Sequence, residues 1–320
     1  MKRILVTGAA GQVGTELVTA LRTRFGDDAV LATDIREPAD AGSGPFHTLD
    51  AMDPAALQGA VDAYQPDTIY HLAALLSATA ERNPQRAWDI NMQTLLHVLE
   101  AARERGLAVF VPSSIAAFGP GTPADPTPQD TIQRPTSMYG VTKVAGELLC
   151  DYYAQRFGVD VRGLRYPGLI SYTAPPGGGT TDYAVEIFHH ALLHGRYTCF
   201  LAPDTQLDMM YMADAVRASI EVMLADASSL QHRNAFNVTA MQLTPASLAR
   251  AIREHIPAFE IDYDVDPVRQ AIADSWPRRL DDSAARTEWG WRHEYDLPRM
   301  VGDMITRLAE RLGTGATKHD

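Results

Sequence analysis

The sequence predicts an α/β chain: a doubly wound parallel sheet with a smaller, discontinuous C-terminal cap. Three observations predict it. Short apolar runs alternate with segments of helical period through the first half, the pattern of repeated strand–helix–strand units. A glycine-rich turn joins the first run to the first helix, and the alternation breaks at about residue 171. With 320 residues, 46% apolar and 21% charged, the chain has ample length for a buried core.

In order, residues 4–6 form the first strand and 13–25 the first helix. Residues 30–33 follow as a strand and 54–64 as a helix, with Asp53 placed to cap it. A third strand covers 68–72, a long helix 84–105, a fourth strand 109–111, a helix 138–157 and a fifth strand 161–164. Beyond 171 comes a loop by composition, Ala174-Pro-Pro-Gly-Gly-Gly179. Helices are expected near 183–193, 214–224, 245–255 and 297–312, and a disordered polar tail over 313–320. The second half therefore reads as a cap over the sheet, interleaved with its last strands.

A formal net charge of −12 argues against a nucleic-acid or anionic-membrane partner, since both need a basic surface. Two cysteines, Cys150 and Cys199, are too few for a disulfide framework or a structural zinc site. No apolar run reaches the roughly 18 residues of a membrane span. Thr7 and Gly8 interrupt the apolar start too early for a signal peptide. A soluble cytoplasmic protein is expected.

Gly8, Gly11 and Gly14, with Gln12 and Val13 between, follow the first strand and open the first helix. Glycines there permit a tight turn, close approach of a pyrophosphate and close packing of helix on strand, and the helix N-terminus faces the diphosphate charge. The doubly wound sheet is thus expected to be a Rossmann dinucleotide-binding fold. Asp34 ends the second strand, 20 residues after Gly14. Its carboxylate suits ribose hydroxyls and repels a 2′-phosphate, which favours NAD over NADP; Arg36, two residues on, is the group that could accept that phosphate instead. Residues 1–170 read as the NAD-binding domain, with later segments returning to it, and 171–312 as mostly a substrate-binding cap.

Tyr139 and Lys143 stand four residues apart, so on a helix they share a face. A phenol is a poor base at neutral pH, and a nearby ammonium favours its phenolate. The chain has 25 Arg and three Lys, of which Lys2 and Lys318 lie at the ends, so its single internal lysine falls on this pair. Arginine offers a different, planar geometry. Ser114 ends the fourth strand region, where open α/β sheets put their ligands, although serines after strands are commonly turn residues.

Together these positions resemble the short-chain dehydrogenase/reductase superfamily in its extended, nucleotide-sugar-epimerase-like branch. The likeness is carried by residues 8–14, by Ser114 with Tyr139-x-x-x-Lys143, by His71-Leu72-Ala73-Ala74, by Asn91 and by Tyr166-Pro167-Gly168. The resemblance implies Asp50 and Ala51 at the adenine and Ala73 near the ribose, with Leu72 and Ala74 also at the cofactor. It also implies that Asn91 supports the site and that the segment from Tyr166 to Ile170 borders the nicotinamide. In the family's scheme Ser114 polarises the substrate oxygen, Tyr139 is the base, and Lys143 holds the ribose and favours the phenolate. The branch pairs the helices carrying Asn91 and Tyr139 across a two-fold, which implies a homodimer, with Leu95, Leu99, Leu148, Leu149 and Tyr152 on the outer faces.

Holding a nucleotide-sugar diphosphate calls for cations, and between residues 171 and 206 the chain has one, Arg196. Thr180 and Thr181, after the glycines and at a helix start, suit a small carboxylate instead. Asp182 suits an ammonium, or only compensates the helix dipole. A closer resemblance, to the short-chain type of L-threonine 3-dehydrogenases, runs from the first strand to about residue 310. It is carried by the stretches from Ala74 to Glu81, Arg165 to Ile170, Pro175 to Val185, Met209 to Met212 and Asp274 to Pro277.

That resemblance implies NAD-dependent oxidation of the L-threonine 3-hydroxyl to 2-amino-3-oxobutanoate. Ser77 and Thr181, with Thr180 beside them, would hold the amino-acid head group, and the glycine loop would close over it. Which hydroxyl meets the carboxylate stays open. The alternatives are a nucleotide-sugar 4-epimerase with permanently bound NAD, and an NAD-responsive binding protein, which would be expected to lose the Tyr or the Lys. Among plainer readings, Ser77 caps a turn, Asp214 is an N-cap, and Trp276, Trp289 and Trp291 pack the cap core. His189-His190 has no third ligand in spacing, so no metal is expected.

Overall fold

The computed structural model describes residues 1–37, 42–173 and 179–313. Most of the expected glycine loop (174–178) and the expected tail from 314 lie outside the described residues. In chain order the first half contains β1 (Ile4–Thr7), α1 (Gln12–Phe25), β2 (Val30–Asp34), β3 (Phe46–Thr48), α2 (Pro54–Tyr64) and β4 (Thr68–His71). It continues with α3 (Ser77–Arg82), α4 (Pro84–Arg105), β5 (Ala108–Phe110), β6 (Ser113–Ser114), α5 (Met138–Phe157), β7 (Val161–Arg162) and β8 (Leu164–Tyr166). Asp53 caps α2 as its side chain predicts, accepting from Ala55 N at 2.9 Å and Ala56 N at 3.0 Å.

The main sheet has six parallel strands in the order β3-β2-β1-β4-β5-β7. The order reverses between β1 and β4, and ligands of such sheets bind in the crevice at the carboxyl ends of the strands flanking that switch. The expected fifth strand is split at Gly163 into β7 and β8. A Cβ there would stand 2.3 Å from the Val111 carbonyl oxygen, so only glycine lets the strand pass so close. After the split, β8 pairs with β6 on one side and β12 (Phe236–Asn237) on the other.

Beyond β8 come β9 (Gly168–Ile170), α6 (Tyr183–His194), β10 (Arg196–Cys199), β11 (Leu207–Tyr211), α7 (Met212–Leu224) and then β12. The chain ends with β13 (Met241–Leu243), α8 (Pro245–Arg253), β14 (Glu260–Tyr263), α9 (Pro267–Asp274), α10 (Ser283–Glu288) and α11 (Leu297–Leu312). Three large apolar clusters among the described residues organise this, beside a small one of Ile115, Phe118 and Leu280. One joins α1, α7, β12 and Trp291 on one face of the sheet, and a second joins α2, α4 and α5 on the other. The third, built from α6, β11, α8 and α11, is the cap's own core.

Several expectations are corrected here. Trp289 and Trp291 pack on the α1/α7 face of the sheet, not in the cap. Leu95 and Leu99 are buried within the chain between α4 and its neighbours, so they are not on an outer face. Asp214 is no N-cap: it sits inside the first turn of α7, accepts from Glu294 N and Tyr295 N, and pairs with Arg217 at 2.8 Å. Among the described residues, no helix is long and apolar enough to cross a membrane.

Candidate active site

At the switch point, Gly8 follows β1 with φ +71°, and a Cβ there would lie 2.6 Å from Ala73 N, just past β4. A Cβ on Gly14 would lie 2.3 Å from the Gly8 carbonyl oxygen. The turn is therefore as tight as the spacing predicts, and each clash is with backbone, which cannot give way. Gly11 caps α1 without a side-chain acceptor. The first turn of α1, Gln12, Val13 and Gly14, faces a cavity of about 420 Å³. Uncapped amides at a helix start opening into a cavity fit a dinucleotide diphosphate.

Asp34, at the end of β2, accepts from Ala10 N at 3.0 Å and Arg36 N at 3.1 Å, so its carboxylate also braces the glycine turn. Below the turn, His71 is held between the hydroxyls of Thr7 (2.8 Å) and Thr94 (3.3 Å). Burial, aided by the Lys143 charge and His97, pushes its pKa down to about 3, so it is neutral and serves as a structural strut.

The opposite wall is α5. Ser137 caps it through Gly140 N at 3.1 Å, and Gly140 lets its first turn approach the Ala116 carbonyl oxygen, where a Cβ would lie at 2.1 Å. This close approach brings Tyr139 and Lys143 to the end of β6, and Ser114, Tyr139 and Lys143 all line the one cavity. Lys143 Nζ donates to the Pro112 carbonyl at 2.7 Å and lies 5.3 Å from the centre of the Tyr139 ring. Ser114 Oγ accepts from Ala116 N at 3.2 Å. Asn91 braces the site from behind: its amide exchanges hydrogen bonds with Leu75 N (2.7 Å) and Leu75 O (3.1 Å) and donates to Thr142 Oγ1 (3.1 Å).

The cap side of the cavity is lined by Ser77 and Thr79 of α3, by Gly179, Thr181 and Asp182, and by Trp276. Asp182 accepts from Gly179 N at 2.7 Å, which fastens the described end of the glycine loop to the start of α6. Helix α3 is docked onto α5 by Glu81, whose carboxylate accepts from Met138 N at 2.7 Å.

Of the remaining expected residues, Gly8, Gly11, Leu72, Ala74 and Tyr166 line this cavity, and Ala73 and Asn91 line a small adjoining one. The Tyr166 hydroxyl points away into the core, bonded to Ser219. Ile170 does not reach the cavity, because its side chain is wholly buried in the cap core. Thr180 is 6% exposed and outside the lining, whereas Thr181 is part of it. Asp50, Ala51, Arg36 and Asp34 lie beyond the cavity's edge; Asp50 and Arg36 are exposed, and the Ala51 carbonyl accepts from His97 Nδ1 at 3.0 Å. Among the described residues no His/Cys/Asp/Glu group could hold a metal ion.

Trp276 packs partly against the cap core as expected, and the sequence reading missed that it also lines the cavity; it missed too the buried pair of Glu147 with Arg165 behind the α5 wall. Only Glu147 left a local signal: it falls four residues after Lys143.

The family model for the NAD dependent epimerase/dehydratase family matches residues 4–239. A Staphylococcus saprophyticus protein described as an uncharacterized epimerase/dehydratase is 57% identical over 311 residues, covering 96% of this chain and 97% of that one. The X-ray structure of L-threonine dehydrogenase from Clostridium difficile is 52% identical, with a TM-score of 0.96 over 97% of this chain and 98% of that one. A monomeric L-threonine 3-dehydrogenase from a metagenome, in its apo form, is 44% identical with a TM-score of 0.92, over 96% of this chain and 99% of that one. NAD is accordingly the cofactor, and the glycine turn fits its diphosphate.

Proposed function

The chain belongs to the NAD-dependent epimerase/dehydratase family, and on that premise we propose that it oxidises the 3-hydroxyl of L-threonine, giving 2-amino-3-oxobutanoate. The observation that carries this reading is the cavity lining. Among the described residues it contains one cation, Lys143, and its cap side offers small residues and hydroxyls. A nucleotide-sugar diphosphate would be left with no cap-side cation. Arg196 is 70% exposed and reaches toward Asp262 instead. A small zwitterion needs only hydroxyls, helix-start amides and a carboxylate, which Ser77, Thr181 and Asp182 supply.

The nicotinamide, when bound, supplies the acceptor for the hydride that leaves C3. Tyr139 takes the hydroxyl proton, so C3–OH becomes C3=O with one proton and one hydride removed. Ser114 donates to the same oxygen and steadies it as the carbonyl forms. Lys143, fixed by the Pro112 carbonyl, sets its ammonium beside the Tyr139 ring and within reach of the bound nucleotide's ribose. Asp34 selects NAD by meeting the ribose hydroxyls.

The exposed faces of α4 and α5, with Trp88 44%, Leu148 63% and Tyr152 54% exposed, are where two copies would pair, and sedimentation distinguishes a dimer from a monomer. Both cysteines are free and buried, which suits a reducing cytoplasm. The deciding assay mixes protein, NAD and L-threonine and follows NADH absorbance, beside D-threonine, L-serine and UDP-galactose. NADH with L-threonine is expected; epimerisation of the sugar without it would make the protein an epimerase.

A further inference from the structure

Tyr139, Lys143 and Glu147 are spaced by four and share one face of α5. Three consecutive residues at the facing strand end meet them. The Pro112 carbonyl accepts from Lys143 Nζ, the Ser113 hydroxyl donates to Glu147 Oε1, and Ser114 shares the cavity with Tyr139. Glu147 is in turn gripped by Arg165, Nε to Oε1 at 3.0 Å and Nη2 to Oε2 at 2.8 Å, with both side chains under a tenth exposed. Arg165 lies on β8 in register with Ser113 on β6. One carboxylate therefore joins α5 to both strands that border the reacting centre. Gln133 Nε2 adds a bond to Oε2 at 2.7 Å.

We propose that the Glu147–Arg165 pair is a positioning device: it sets the rotation and height of α5 against β6, and so the separation between Ser114 and the Tyr139–Lys143 pair. The inference rests on reading those three residues as the reacting set. Stability does not explain the pair, because desolvating two charges offsets most of their attraction, and apolar side chains of equal volume commonly hold such a site as well. What apolar contact lacks is direction. A planar guanidinium on a carboxylate accepts one plane and one separation. Lys143 and Tyr139 lie about one and two turns away on the same helix, so a tilt at Glu147 is carried to them.

The test replaces both charges together, Glu147→Leu with Arg165→Met, so that no lone charge is buried. The variant melts lower, because the Gln129 carbonyl and Asn237 Oδ1 lose the Arg165 Nη1 donor and Ser113 and Gln133 lose their acceptor, so rates are compared well below its melting temperature. Its kcat for L-threonine falls by roughly 10- to 100-fold, the scale set by ångström-sized misplacement, while KM stays within about threefold. Amide exchange is a second readout that needs no turnover: besides the segments around Gln129, Gln133 and Asn237, which lose direct bonds, it rises over residues 114–117 and 138–143. Turnover within about twofold of the unsubstituted protein, or unchanged exchange over residues 114–117 and 138–143, overturns the proposal.

If the double variant fails to fold, Ser113→Ala decides, since it cuts the strand from the carboxylate and leaves the ion pair. A fall in kcat of about threefold or more, with faster exchange at Ser114, is expected; unaltered values overturn the proposal. An unsubstituted protein inactive on L-threonine counts against the substrate reading, and amide exchange alone then decides the role of the pair.

Discussion

The catalytic wall and the cap wall each bury a carboxyl group, and they treat it in opposite ways. Behind the catalytic wall, Glu147 has a guanidinium in two-pronged contact and a serine hydroxyl besides. In the cap, Asp208 on β11 has no cation among its hydrogen-bond partners within the described residues: it accepts from Thr239 Oγ1 at 2.6 Å, Leu280 N at 2.7 Å and Gln242 Nε2 at 3.3 Å. Burial pushes the Asp208 pKa up to about 7, against the pull of those hydrogen bonds. Asp208 is also what fastens β11 to the segment running from Trp276 to Asp282, one side of the cavity. The proposed reacting side is thus mounted on a charge-matched joint, and the proposed substrate side on one that titrates near neutrality.

Three substitutions break or sharpen this contrast, in falling order of effect. Tyr139→Phe on the catalytic wall should lower kcat by about 10³-fold with NADH binding and melting temperature preserved. Near-normal turnover in that variant would remove Tyr139 as the base. On the cap wall Thr181→Val keeps the shape and removes the hydroxyl. KM for L-threonine should rise about tenfold and kcat change by less than about threefold, the signature of lost ground-state binding. Equal losses in kcat and kcat/KM would move Thr181 into the reacting set.

The smallest effect is on stability. An acid whose folded pKa lies above its unfolded value of 3.8 favours the folded state while protonated, so that contribution is lost as pH rises from about 4 to about 7. His71 has the opposite sign: its depressed pKa costs stability as pH falls from 6.5 toward about 3. Asp208→Asn isolates the cap contribution, and should raise the melting temperature at pH 8 by about 5 °C while changing little at pH 4. A parallel shift at both pH values, read by thermal melts, would acquit Asp208 of the titration.

Much of the site was legible because its signals are local. A glycine turn between a strand and a helix, a Tyr and a Lys one turn apart, and Asp53 before a helix each declare their geometry within a few residues. That later segments return to the sheet was expected, but which ones was not legible, since Phe236 pairs with Leu164 across 72 residues of chain and neither residue announces the other. The same holds for Arg165, quoted as part of a motif but without its partner on α5, and for Trp276, whose apolar ring suits a core or a cavity equally.

The sequence by itself determined the parallel α/β sheet, the nucleotide-binding turn and the stripe from Tyr139 to Lys143, because backbone stereochemistry and helical period act over one or two turns. Only the tertiary structure decided that Glu147 continues that stripe to Arg165, that Thr181 and not Thr180 lines the cavity, and that Leu95 and Leu99 are buried while Leu148 and Tyr152 are exposed. Those choices depend on which faces pack together, and packing is settled by the whole chain at once.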